Sequence, residues 1–398
     1  MNNVLLAVFC TGMTQDAGTL AMLSLKDTQS ILFCAFMGAI IWISRFAFSS
    51  VAPAIKDEFH LTYTQIGIPP MITLAFAATG YALGGFLTYR FGWRSTLLLA
   101  LLSMVVSALG TATSMMFDTV VLFQGVSGFS EGFFYMGAIV LLTSSFDSSA
   151  IGRALGILEA AVNSGIVVSL FIGPIITLAC GWRCVYYLAA ALGTSAVILL
   201  AVSSRKSSGS SNRVDTKILT NHYVIFLIVT LALNFLCFWS FWTFIPTYLR
   251  DDLHLSLAMI GTVTSISFGL TIFAPLFGGF LADRVGPKRA ALTATLAYTF
   301  GLLVFALTTS LVAVLLILLV IAVSQTFLYP VLLSFIPKHF PQTELGVAYG
   351  LTMFVAISGG VMGPILVGHV ADAYGFGLGF LILACCMGSS AFVIAKEL

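Results

Sequence analysis

The stretch GGFLADRVGPKR, Gly278 to Arg289, decides the fold, because it separates two apolar runs and is echoed as GGFLTYRFGWRS at Gly84 to Ser95. Its glycines let two helices approach closely, and its Arg/Lys cluster marks a short loop kept on the cytoplasmic side of a membrane. Asp283 is placed to pair with basic groups. The two copies belong to a longer repeat. The offset of 194 that takes Gly85 to Gly279 also takes Leu61 to Leu255, Gly67 to Gly261, Arg90 to Arg284, Gly92 to Gly286, Gly156 to Gly350, Ser164 to Ser358, Gly165 to Gly359 and Gly181 to Gly375. One offset running through most of both halves of the chain implies a duplicated architecture.

Composition sets the solvent. Of 398 residues, 59% are hydrophobic and 8% charged, whereas a soluble globule carries about 25% charged residues. The chain reads as a polytopic membrane protein, so its small net charge of +2 carries no message about nucleic acid. Apolar runs of about 20 residues suit a hydrocarbon core roughly 30 Å thick. They predict an all-α fold of twelve transmembrane helices near 31–51, 66–88, 95–115, 120–142, 154–178, 185–202, 223–246, 260–282, 290–309, 313–335, 346–368 and 376–395. Residues 1–30 read as a tail outside the core fold, 31–203 as an N-terminal six-helix half, 204–221 as a polar cytoplasmic linker and 222–398 as the C-terminal half. With both termini cytoplasmic, thirteen Lys and Arg fall on inner segments, and only Lys56, Arg183 and Arg250 on outer loops, the asymmetry expected of a multi-pass protein of a bacterial inner (plasma) membrane. The seven cysteines have no metal-ligand spacing and read as packing residues. No GxxxxGK[ST] phosphate loop, catalytic triad or metal cluster occurs, so no enzyme activity and no cofactor or metal is expected, and any transport is driven by a gradient.

The complete GxxxDRxGxKR pattern from Gly279 to Arg289 resembles the loop between helices two and three of the major facilitator superfamily, and its recurrence is what that family's duplicated fold implies. The resemblance makes Gly85, Arg90, Gly92 and Arg94 in the first half, and Gly279, Asp283, Arg284, Gly286, Lys288 and Arg289 in the second, an inner-gate motif. The first copy has Tyr89 where the second has Asp283.

A repeat is most informative where it fails. Arg45, well inside the first apolar run, has Trp239 as its counterpart, and Glu131 in the fourth helix has Gln325, while Tyr135 and Tyr329 match. A charge at the bilayer centre costs at least about 2.5–3.5 kcal/mol, so Arg45 needs a partner or a wet cavity. One reading has Arg45 and Glu131 pairing only to fix two helices. The other has the Arg45 fork holding a substrate anion while Glu131, a desolvated carboxyl, takes and releases the coupling proton. Gln124, Gly128, Glu131 and Tyr135 share one helical stripe, with Gln325 and Tyr329 as the matching stripe opposite. Asn163, Asn234, Trp239, Trp242 and Ser358 complete the expected substrate-binding set. Glu159 is expected to pair with inner-gate arginines.

Three patterns resemble the anion:cation symporter branch of that superfamily: RFAFSSVAP at Arg45 to Pro53, GFSEG at Gly128 to Gly132, and GWR at Gly181 to Arg183. That resemblance implies a symporter of organic anions, with Arg45 as the anion-binding arginine and Glu131 as the proton-coupling acid. The chain departs from the branch at Ser44 and Gln124, where an acid and an arginine are expected. A single membrane arginine favours a monoanion or a zwitterion. The expected partners are thus a small-molecule substrate, protons or sodium, and the lipid bilayer, with no nucleic acid, around a monomer. The alternative is a proton-coupled multidrug efflux antiporter. Its glycine pattern is carried in part by Gly156 and Gly165, but Ser169 and Leu170 stand where Gly-Pro belongs.

Overall fold

The computed structural model describes residues 25–146, 151–202, 222–274, 285–308, 310–333 and 345–397, and every regular element among them is helical. Helix α1 is Leu25–Phe59. Tyr63–Thr113 is 51 residues long, which at 1.5 Å per residue is more than twice the depth of a hydrocarbon core. It breaks at Gly92, whose φ of 80° leaves the helical region, and the arms before and after that residue are α2 and α3. The remaining elements are α4 (Phe117–Ser145), α5 (Ile151–Cys180), α6 (Trp182–Val202), α7 (His222–Asp251), α8 (Leu257–Gly269), α9 (Pro287–Leu307), α10 (Leu311–Leu333), α11 in two pieces (Leu345–Gly360 and Gly363–Tyr374) and α12 (Phe376–Glu397). Among the described residues, ten stretches are long and apolar enough to cross a membrane, and the shorter apolar segment Leu257–Ile272 joins them. Counting Tyr63–Thr113 as two crossings gives the twelve that the sequence predicts. Helix α1 begins six residues before its predicted start, with Ser30 bound to Ser145 of α4 through their hydroxyls at 3.1 Å. The predicted linker and three residues of the expected gate motif, Gly279, Asp283 and Arg284, lie outside the described residues.

The duplication is written into the backbone. Among the described residues, positive φ occurs at His60 and His254 (52° and 55°), Gly92 and Gly286 (80° and 86°), and Gly181 and Gly375 (84° and 83°). Each pair is separated by the repeat offset, so the corners that need a left-handed residue recur at the same place in both halves. The caps recur as well. The Thr62 hydroxyl accepts from the Gln65 amide at the start of α2, and the Ser256 hydroxyl accepts from the Met259 amide at the start of α8.

Within the first half, backbones touch where glycine removes the side chain. A Cβ on Gly128 would strike the Thr73 carbonyl, and one on Gly132 would strike the Gly80 backbone, so α4 lies directly on α2. Gly165 seats α5 on Ala39 of α1, and its repeat mate Gly359 seats α11 on Ala232 of α7. The halves meet through the equivalent pairs α2 with α11 and α5 with α8. There Gly67 abuts the Pro364 carbonyl and Gly261 abuts Leu170 and Pro174.

Candidate functional site

Arg45 sits near the middle of α1, where the halves face each other. Its Nε donates to Glu131 Oε2 of α4 at 3.1 Å, with the two side chains only 4% and 3% exposed. Its guanidinium carbon lies 3.9 Å from the ring centroid of Trp239 on α7. Trp239 is the repeat counterpart of Arg45, so the position that carries charge in one half carries a π face for it in the other. A buried pair of this kind is weak evidence of stability, because desolvation of both charges opposes their attraction. The pair is also incompletely satisfied, since Arg45 Nη2 is buried without a hydrogen-bond partner among the described residues.

Aromatic rings build the walls. Trp42, one turn before Arg45, stacks on Trp239 with centroids 5.9 Å apart and planes at 17°. It meets Tyr135 edge-on at 6.4 Å, and Tyr135 stacks on Tyr81 of α2 at 5.9 Å. Phe46 packs against Trp239 and against Phe268 of α8. Phe268 in turn lies 4.3 Å from Trp242, whose Nε1 donates to Gln325 Oε1 of α10 at 3.1 Å. Helices α1, α4, α7, α8 and α10 thus converge on one core of charge and rings.

The other sequence candidates divide. Tyr135 belongs to the core and lies beside Glu159 of α5, while the side chain of Arg153, one of the arginines expected to pair with Glu159, lies outside the described residues. Asn163 donates instead to the Thr271 carbonyl across the halves, at 3.3 Å. That carbonyl belongs to the 3-10 turn Leu270–Ile272, which ends the regular part of α8. Asn234 is buried with its amide nitrogen unpartnered among the described residues. Ser358 is exposed and turns back to the Phe354 carbonyl of its own helix, so it is not brought to the core. The Tyr329 side chain lies outside the described residues. Gln124 serves the frame of the first half, donating to Thr111 Oγ1 and the Tyr186 hydroxyl.

At the end that carries the repeated glycine and arginine motif, Gly92 and Gly286 make the corners. Arg94 donates to the Leu200 and Ala201 carbonyls at the end of α6, Gly85 faces open space, Arg90 lies beside the Phe91 ring, and Lys288 and Arg289 begin α9. The opposite end holds an arrangement that sequence reading missed. Lys56 of α1 reaches Asp251 of α7 at 2.9 Å, while Arg250 of α7 reaches Asp57 of α1. The offset of 194 takes Lys56 to Arg250 and Asp57 to Asp251, so the two bridges are one contact made twice. The Tyr63 hydroxyl also donates to Asp251 at 2.9 Å, and Asp372 of α11 accepts the amides of Tyr63 and Thr64 at the start of α2, each at 2.8 Å. The signal was available, because the Lys-Asp and Arg-Asp dipeptides stand one repeat apart.

Duplicated six-helix halves packed about a buried, charged and aromatic core define a multi-pass membrane carrier for a small molecule rather than an enzyme. The chain belongs to the Major Facilitator Superfamily, whose family model matches residues 34–250 and again 227–396. It is 25% identical to a hexuronate transporter of Bacillus subtilis, over 91% of this chain and 92% of that one. It is 23% identical to a cis,cis-muconate transport protein of Acinetobacter baylyi, over 85% and 86%. A bacterial homologue of the human lysosomal transporter Spinster, solved in an inward-facing and occupied conformation, superposes with a TM-score of 0.77 at 14% identity, over 94% of this chain and 97% of that one.

Proposed function

We propose that the chain is a proton-coupled symporter of a small organic anion, with Arg45 as the anchor and Glu131 as the switch. The observation that carries the reading is that Arg45 is held by Glu131 through one nitrogen only, with Nη2 buried and unpartnered beside the other half's Trp239. A substrate carboxylate and the Glu131 carboxylate then compete for one guanidinium.

Charge balance supplies the coupling. With the site empty and Glu131 ionised, the pair is neutral and the halves can move past each other. A substrate monoanion added to that state leaves a net negative charge in a buried place, and a proton added alone leaves Arg45 unpaired. Proton and anion together restore neutrality: the substrate takes the guanidinium and Glu131 becomes the neutral acid. Only the empty ionised state and the doubly loaded state cross cheaply, which is one-to-one symport. Placing Lys56 and Arg250 on the outer face of a bacterial inner membrane, as the charge count favours, makes the reciprocal ion pairs an outer closure, and the structure the state closed to the outside.

The test uses purified protein in liposomes. Glu131→Gln keeps the site permanently in its anion-accepting form, so counterflow exchange should survive while proton-driven accumulation is lost; full accumulation by this variant refutes the coupling. Arg45→Lys keeps the charge and loses the fork, so an unchanged affinity removes Arg45 from the site.

A further inference from the structure

Three buried nitrogens of the central stack have no hydrogen-bond partner among the described residues: Arg45 Nη2, Trp42 Nε1 and Trp239 Nε1. Their side chains touch one another, the Arg45 guanidinium over the Trp239 ring and that ring stacked on Trp42. All three residues are more than nine-tenths buried, at 5%, 7% and 2% exposure. A buried donor without an acceptor is costly, and three in one cluster call for an explanation beyond packing. Aromatic packing alone would be met by phenylalanine, as it is at Phe46 and Phe268 beside them.

The chemistry of these groups is one-sided. Guanidinium and indole nitrogens donate and cannot accept. The carboxylate that reaches the cluster, Glu131, is already engaged by Arg45 Nε. A ligand that satisfies the cluster must therefore bring acceptors in excess. An ammonium group, which only donates, would meet N–H groups and a positive charge.

We infer that Trp42 and Trp239 are substrate-ligating donors, one from each half, and that with Arg45 they select a carboxylate carrying further acceptor oxygens and reject one carrying an ammonium group. This rests on the anion reading of the site and sharpens it, since it decides between the oxyacid and the zwitterion that a lone membrane arginine leaves open. It also gives the halves a common ligand. The α1 indole and the α7 indole both lose their unmet donors when one oxygen-rich anion bridges the edges of their stacked rings, so occupancy ties the two halves together.

The experiment is calorimetric binding to the purified full-length chain of four probes sharing a six-carbon skeleton: hexanoate, 2-hydroxyhexanoate, gluconate and 2-aminohexanoate. Gluconate should bind tightest, 2-hydroxyhexanoate next and hexanoate weakly, with 2-aminohexanoate at least tenfold weaker than the hydroxy acid. Trp42→Phe and Trp239→Phe keep a ring in the stack and lose the donor. Each should cut gluconate affinity about tenfold, which is about 1.4 kcal/mol, while leaving hexanoate within about twofold. A variant damaged only in folding would weaken both probes alike. Equal binding of the amino and hydroxy acids overturns the inference, as does an unchanged gluconate-to-hexanoate ratio in both variants, while in either case the anion reading stands. Binding of none of the four counts against the anion reading itself and removes the ground of the inference.

Discussion

Neutralising Asp251 should loosen the closed end of the carrier by a predictable amount. Asp251 accepts from Lys56 Nζ at 2.9 Å and the Tyr63 hydroxyl at 2.9 Å, and its other oxygen lies 3.3 Å from Arg250 Nε. Lys56 and Asp251 are 21% and 17% exposed, between the buried and the surface regimes. At an effective dielectric of about 20 the gross attraction of such a pair is about 4 kcal/mol, and desolvation, side-chain ordering and salt leave about 1 kcal/mol of it at a partly exposed site. Asp251→Asn keeps an acceptor for Tyr63 and removes only the charge. The open population at this end should therefore rise about five- to tenfold. Nitroxide labels at His60 and His254, the exposed and repeat-related tips of the two loops at this end, read the opening as a distance distribution. Lys56→Gln should produce a similar shift, and the double variant should fall short of the sum by about 1 kcal/mol. The equivalent cycle on Arg250 and Asp57 should give a smaller coupling, because Asp57 is 58% exposed. Additive single shifts, or a larger coupling at the more exposed bridge, refute the assignment of this contact as the closure.

Two more perturbations test the frame. Asp372→Asn removes the anion that accepts the first two amides of α2; the expected cost is about 1 kcal/mol, read as faster amide hydrogen exchange at Tyr63 and Thr64. Gly132→Ala pushes a methyl into the Gly80 backbone, and overpacking of this kind costs about 1–3 kcal/mol, so the melting temperature should fall while Gly85→Ala, which meets nothing within 4 Å, leaves it unchanged.

The fold was legible because its constraints are periodic. Apolar runs of membrane length and one offset of 194 give the helices and the halves, and His60 and His254 show that the same offset reaches corners that have no glycine. The core was legible where the repeat breaks, since a charge on one half against a ring on the other marks Arg45 and Trp239 as neighbours across the pseudo-axis. What escaped depended on rotation and on exact depth. Ser358 shares its position in the repeat with Ser164, yet α11 breaks just after Gly360, and a count of residues through an interrupted helix does not say which way a side chain turns. The ion pairs of Lys56 and Arg250 escaped because those charges were weighed only as topology markers, a use in which a charge has no partner.

The Arg45–Glu131 pair can be tested for purpose by removing it one half at a time and then whole. The two single losses are unequal. Without Arg45, Glu131 can take a proton and become neutral, but without Glu131 the guanidinium stays charged at any accessible pH. Glu131→Gln should therefore cost more stability than Arg45→Gln, up to about 3–5 kcal/mol for an uncompensated buried charge. An added anion should recover that loss, giving gluconate a larger thermal shift on Glu131→Gln than on the unaltered protein. The double variant Arg45→Gln with Glu131→Gln has no buried charge and should regain most of the lost stability. A pair that only pins α1 to α4 predicts that transport returns with it. A pair that binds substrate and proton predicts a stable carrier that transports nothing, and active transport by that double variant would remove both residues from the mechanism.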